Sequence, residues 1–176
     1  MAAIAAAVLV PALAQAAPVK NTIEVSGWVP YWRATAGTEG ATPNLRSLTT
    51  VHPFSFTVES DGTLHDTLDI EDEPWASFIA EARAKKVRVI PTLMWNDGEA
   101  IHQILSDTES RTELVETIVE LVQSHNFDGI DIDFESKLAE TNEHFSSFLR
   151  ELYRAMGNKW VYCTIESRTP LTSRYD

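Results

Sequence analysis

Cysteine is almost missing from this chain: Cys163 is the only one in 176 residues, so no internal disulfide can hold the fold and stability has to come from packing. Basic charge is scarce as well, 14 Lys and Arg against 26 Asp and Glu, for a formal net charge of −12. The acids are spread along the chain instead of forming a tail. They repel a phosphate backbone or an anionic membrane, which argues against nucleic acid as a partner. With 44% of residues hydrophobic the composition is that of a globular protein that buries a core, so disorder is not expected.

Long apolar runs are lacking too. Residues 2–17 are almost wholly alanine and aliphatic, too short to span a bilayer, and close on Ala14-Gln15-Ala16, a small-x-small cleavage pattern. This predicts a secretory signal over 1–16, a mature chain over 17–176, a secreted or cell-envelope location and no membrane attachment after cleavage. No Lys or Arg follows Met1, so the charged start of such a signal is absent and is expected upstream. Shortness and Pro11 argue against the alternative, a buried alanine-rich helix. Cys163 lies in an apolar run with no activating His near it in sequence, which predicts a structural thiol.

The remainder alternates short β-branched and aromatic runs with segments of helical period. Strands are predicted over 23–32, 51–58, 87–94, 129–134 and 160–167. A Gly- and Thr-rich loop is expected from the first strand through Thr42, and the turn Asp61-Gly62 closes the second strand. Pro74 suits a first helical position ahead of Trp75, Phe78, Ile79 and Ala82. A helix over about 108–125 carries Leu114, Ile118, Leu121 and Val122 on one stripe, with Asp107 or Thr108 as cap. Another presents Phe145, Phe148, Leu149, Leu152 and Met156 and stops at Gly157.

The order strand, helix, strand, repeated with short connections, specifies an α/β fold with a parallel sheet. A doubly wound nucleotide-binding sheet needs a Gly-rich turn after its first strand, and Gly27-Trp28-Val29-Pro30-Tyr31-Trp32 offers aromatics and proline instead. The expected architecture is a TIM (β/α)8 barrel. Such a barrel takes about 250 residues, and five strands are legible here, so the expectation is its N-terminal part.

The chemistry concentrates in the fourth strand, Asp128-Gly129-Ile130-Asp131-Ile132-Asp133-Phe134-Glu135. Residues two apart share a face of a strand, so Asp131, Asp133 and Glu135 line one side and Ile130, Ile132 and Phe134 the other. On a barrel strand the acids face inward, with Glu135 at the C-terminal mouth where catalytic residues sit. Gly129 lets the backbone enter without side-chain crowding, and Asp128, off the row, is expected to make a structural hydrogen bond. Carboxyls this close cannot all ionise cheaply, so Asp131 and Asp133 are expected to titrate as a pair. A carboxylic acid kept protonated near neutral pH can donate to a leaving oxygen, as breaking an acetal requires. A calcium loop starting at Asp131 fails, because it needs Gly and Glu where Ser136 and Asn142 stand. Asp131 and Asp133 can also be read as the Asp-x-Asp of a glycosyltransferase, a weak pattern taken alone.

The whole run resembles the Asp-Gly-x-Asp-x-Asp-x-Glu signature of family 18 glycoside hydrolases, the chitinase-like barrels. The resemblance extends over about 25–169, with an aromatic first strand, a second strand ending in Phe56 and a helix running into the motif. It implies that Glu135 is general acid and base, that Asp133 orients the substrate's acetamido group and that Asp131 supports its neighbour. It also implies retaining, substrate-assisted cleavage of β-linked N-acetylhexosamine glycans without metal or cofactor. Many chitinases carry Ser-x-Gly-Gly at the end of the third strand, where this chain has Pro91-Thr92-Leu93-Met94-Trp95. That departure shifts the expected substrate from chitin toward other N-acetylated glycans, including cell-wall and spore peptidoglycan.

Tyr31 and Trp32 at the end of the first strand, Trp95 after the third, and Glu166 and Arg168 closing the fifth are the candidate sugar contacts, with Trp28 assigned to the core. Two alternatives stand beside the enzyme: a non-catalytic, lectin-like glycan-binding barrel, which has no need of the proton donor at Glu135, and an opened barrel that does nothing by itself.

Overall fold

The computed structural model describes residues 23–165. Its frame is a parallel sheet of five segments in the order β1-β2-β5-β6-β7: β1 Ser26–Pro30, β2 Thr50–Val58, β5 Thr92–Trp95, β6 Gly129–Phe134 and β7 Trp160–Cys163. Every pair along this path is parallel. Two short strands lie off it. β3 (Leu64–Asp66) folds back antiparallel on β2, and β4 (Arg88–Val89) pairs with the start of β2. Each of the five predicted strands overlaps one segment of this path, arranged as the first strands of a TIM-like barrel.

The third predicted strand is divided. β4 and β5 are separated by Ile90 and Pro91, where a proline with no N–H interrupts the ladder. The fifth ends earlier than predicted, at Cys163. The region predicted as a loop after β1 is instead a 3-10 turn, Tyr31–Arg33, leading into α1 (Ala34–Ala41) and a second 3-10 stretch, Thr42–Ser47. Pro74 caps α2 (Trp75–Ala84) from outside instead of filling its first position. An unpredicted helix, α3 (Gly98–Ser106), precedes α4 (Thr108–Ser124), with Asp107 between them. α5 (Asn142–Met156) follows a 3-10 turn at Ala139–Thr141 and stops at Gly157, where φ is +62°.

Helices pack on one face of the sheet. Leu93, Trp95, Ile130, Ile132 and Phe134 join Phe78, Ile101, Leu114, Ile118, Phe148 and Leu152 in one apolar cluster. Phe134 of β6 stacks on Phe148 of α5 at 5.5 Å between centroids and meets Trp95 edge-on at 5.3 Å. Asp107 caps α4 by accepting the Ser110 N–H at 2.9 Å. Arg111 then ties three helices together. It grips both oxygens of Glu151 on α5, at 2.9 and 3.1 Å, and donates to the Leu105 carbonyl of α3 at 2.7 Å. Among the described residues no helix is long and apolar enough to cross a membrane.

Candidate active site

β6 is pinned at its start. The Asp128 carboxylate accepts the Val89 N–H at 2.8 Å, and the Asp128 carbonyl accepts the Trp160 N–H at 3.0 Å. At Gly129 the backbones run so close that a Cβ would stand 2.1 Å from the Trp160 carbonyl oxygen. Only glycine fits there.

From that point the strand lifts Asp131, Asp133 and Glu135 along the face turned away from the helices, and their exposure rises in the same order. Asp131 is 1% exposed and Asp133 7%, while Glu135, just past the strand's end, is half-buried. The Glu135 N–H donates to the Trp95 carbonyl at 2.7 Å, which holds the end of β6 against the end of β5.

Strand alternation pairs Asp131 with Asp133; the structure gives Asp131 partners from four other strands or their ends. Its Oδ2 accepts the Trp28 indole N–H and the Thr92 hydroxyl, each at 2.9 Å, and its Oδ1 accepts the Thr164 hydroxyl at 3.1 Å. His52 of β2 lies beside it, with Nδ1 3.9 Å from Oδ2. A carboxylate buried this deeply needs such donors, because an unpaired charge there is costly. Burial is also the main influence on His52, pulling its pKa below the ordinary 6.5 against the opposing pull of Asp131.

Two aromatic assignments change. Trp95 belongs to β5 and points with Leu93 into the helix-facing core, where it is 3% exposed against Phe134. Its ring has no free face for a sugar, so it is a packing residue. Trp28, assigned to the core, is 53% exposed and sits on the inward face with its N–H on Asp131. Alternation explains both: Thr92 and Met94 of β5 pair with Asp131 and Asp133 on the inward side, which sends Leu93 and Trp95 outward. Tyr31 and Trp32 lie in the 3-10 turn at the C-terminal end of β1, both exposed, with Tyr31 stacked on Phe54 at 6.2 Å. That is the end of the sheet where Glu135 emerges. Glu166 and Arg168 lie outside the described residues, as does the predicted signal over 1–16.

An open cavity of about 540 Å³ lies between the loop after β5 (Asn96, Asp97) and the loop after β6 (Ser136, Lys137); on the β6 side its lining begins one residue past Glu135. The loops interlock at Gly98, where a Cβ would stand 2.2 Å from the Ser136 carbonyl oxygen. Lys137 turns back to donate to the Phe134 carbonyl and lies 4.7 Å over the Phe145 ring. Cys163 is half-buried, and burial pushes its thiol pKa up, as for an unreactive structural cysteine. Among the described residues no group of three or more His, Cys, Asp or Glu is arranged to hold a metal ion. Trp28, His52, Thr92 and Thr164 are the site residues that sequence reasoning missed. Their signal was parity: each lies on an inward position of its own segment.

The family model for glycosyl hydrolases family 18 matches residues 27–169. The uncharacterized glycosylase YvbX of Bacillus subtilis is 24% identical over 138 residues, covering 70% of this chain and 38% of YvbX. A chitinase from Bacteroides thetaiotaomicron superposes with a TM-score of 0.69 at 25% identity, over 82% of this chain and 47% of that one. The Bacillus cereus spore cortex-lytic enzyme SleL shares the fold, with a TM-score of 0.67 at 20% identity over 81% of this chain and 35% of its own. The chain thus spans less than half the length of each of these relatives. With the signature row of carboxyls on its fourth barrel strand, the chain belongs to family 18 of the glycosyl hydrolases.

Proposed function

We propose that this chain carries the acid side of a retaining glycoside hydrolase site acting on β-linked N-acetylhexosamine polymers. The observation that carries this reading is the graded row on β6, in which two buried aspartates lead up to a half-buried glutamate at the strand's C-terminal end. In this role Glu135 protonates the glycosidic oxygen as the bond breaks and later takes a proton from the incoming water. A direct carboxylate nucleophile has to face the acid across the sugar, about 5 Å away. Asp133 is on the same strand and the same side, roughly 6.5 Å down the chain axis, so it is badly placed to attack. The substrate's own acetamido oxygen, the nucleophile of the substrate-assisted route known for this family, removes the difficulty. Asp133 then holds and polarises that group, and Asp131 supports Asp133. Tyr31 and Trp32 offer exposed rings for stacking at the same end. Peptidoglycan-like glycans are preferred over chitin, on the ground of the Pro91-Thr92-Leu93-Met94-Trp95 segment. The protein is exported, and loses residues 1–16 on the way; mass spectrometry of secreted material reads the mature N-terminus.

The test compares two β-linked oligosaccharides that differ only at C2, one with acetamido and one with hydroxyl. Only the acetamido sugar should be cleaved. Glu135→Gln should abolish turnover while glycan binding persists, and Asp133→Asn should slow it by about 10² or more. Equal cleavage of the two sugars would falsify the substrate-assisted reading. A wild-type protein that binds glycan and cleaves neither would favour the lectin-like alternative.

A further inference from the structure

We propose that His52 is a positioning residue for Asp131: its neutral ring carries the Trp28 indole and keeps the indole N–H on the Asp131 carboxylate, so that protonating His52 loosens the support of the acidic row. The proposal rests on the reading of Asp131 as the support of Asp133.

Trp28 is not held by enclosure, since more than half of it is exposed. Two contacts fix its plane. One is the N–H bond to Asp131 Oδ2 at 2.9 Å; the other is His52, directly across the β1–β2 register, stacked on the indole at 5.3 Å between centroids and 27° between planes. His52 is itself enclosed. It is 1% exposed, and Tyr162 of β7 presses edge-on against its ring at 5.3 Å. Its Nδ1 lies 3.0 Å from the Ile90 carbonyl oxygen. A carbonyl can only accept, so Nδ1 must carry the hydrogen and Nε2 is the nitrogen left to take a proton.

The charged and titratable groups around the ring are Asp131 from β6, Arg88 from β4 and Tyr162 from β7; β1 presents only the uncharged indole. Burial and Arg88 oppose protonation, Asp131 and the Ile90 carbonyl favour it, and burial has the largest influence. The ring is therefore neutral at neutral pH and charges only at a pH below the ordinary histidine value. Once charged, the imidazolium, with Nδ1 3.9 Å from Oδ2 and still bonded to the Ile90 carbonyl, draws the carboxylate electrostatically toward itself and away from the donors Trp28 and Thr92 that share Oδ2. The indole bond is the one that yields, because the indole is the half-exposed partner.

The full chain, labelled with ¹⁵N, gives a readout that needs no turnover. The Trp28 indole N–H signal, assigned with Trp28→Phe, is followed from pH 8 to pH 5 with its hydrogen-exchange rate, beside the ring nitrogens of His52. In the wild type, the indole signal should move and its exchange quicken with the midpoint at which His52 titrates. His52→Phe keeps a ring under the indole and removes the titration, so the indole signal should stay flat over the range. His52→Ala removes the ring, and exchange should be about tenfold faster at every pH, as for one lost hydrogen bond to a charged group. Different midpoints for indole and imidazole in the wild type overturn the proposal, and that comparison requires no variant. So does a His52→Ala protein whose indole exchanges at the wild-type rate. With an N-acetylglucosamine oligomer as substrate, the acidic limb of kcat should move to lower pH in His52→Phe with KM unchanged. If the wild type cleaves nothing, the enzyme reading fails while the indole measurement still decides the role of His52.

Discussion

Gly98→Ala is the sharpest test of how the site is held. A Cβ on Gly98 would stand 2.2 Å from the Ser136 carbonyl oxygen and 3.3 Å from its carbon. Ordinary non-bonded contact is roughly 3.5 Å, so one loop must retreat by about 1 Å. Neither gives easily. Gly98 opens α3, whose first turn is capped by Asp97 accepting the Ala100 N–H at 3.1 Å and anchored by buried Ile101. Ser136 holds a left-handed φ of +56°, one residue beyond Glu135. Overpacking of this kind costs about 1–3 kcal/mol, from which alanine's better helix propensity returns up to roughly 1 kcal/mol. With the full return, the expected loss is therefore about 0–2 kcal/mol. Because the clash pushes on the residue next to Glu135, turnover of an N-acetylated oligosaccharide should fall by about 10², the effect of a 1 Å misplacement of a reacting group. The control is Gly27→Ala, where a Cβ meets nothing within 4 Å; it should stay within roughly 0.5 kcal/mol of wild type. Urea unfolding at constant m-value measures the first quantity and steady-state kinetics the second. A Gly98→Ala protein with the wild-type midpoint and wild-type turnover would refute the interlock.

Phe148→Ala empties a site with no exposed surface beneath Phe134 and should cost about 3–5 kcal/mol in the same urea titration. Arg111→Ala releases the Leu105 carbonyl and both oxygens of Glu151, and should cost about 1–3 kcal/mol, with faster amide exchange where α3 meets α4. His52 has a lowered pKa in the folded state, so below pH 6.5 the unfolded chain binds a proton that the folded chain refuses. Its contribution is full above pH 6.5 and is lost as pH falls toward the folded value; stability should rise with pH across that window, and His52→Phe should flatten the rise.

What could be read from the sequence was what the chain states locally. The β6 row follows from period-two alternation within six residues, and α5 from apolar positions three and four apart ending at Gly157. α1 escaped because its sequence, ATAGTEGA, has small residues where a core-facing stripe is sought. It packs by close approach instead: a Cβ on Gly37 would stand 2.7 Å from Val29. α3 escaped because it is short and separated from α4 only by Asp107, with its own cap at Asp97. Trp95 was misplaced by one residue of strand length, enough to turn a core ring into an apparent sugar platform. The partners of Asp131 were out of reach for a different reason: they lie 103, 39 and 33 residues away in sequence, and only the register of five strands brings them to one carboxylate.

That register is the quantity the site depends on. Shifting β6 by one residue would turn Asp131 and Asp133 into the apolar layer beneath the helices and bring Ile130 and Ile132 to the inward face. Both moves are costly, since a buried carboxylate without donors and an apolar side chain without packing each lose their environment. The same end of the strand that bears no chemistry prevents the slip. Asp128 clasps Val89 on one side, and Gly129 admits the Trp160 backbone on the other, at a distance that no other residue allows. With the base of β6 set between both neighbours, depth along the strand decides what each acid can do. Asp131, deepest, is tied by three donors; Glu135, half-buried beyond the last strand residue, is the most exposed carboxyl of the row.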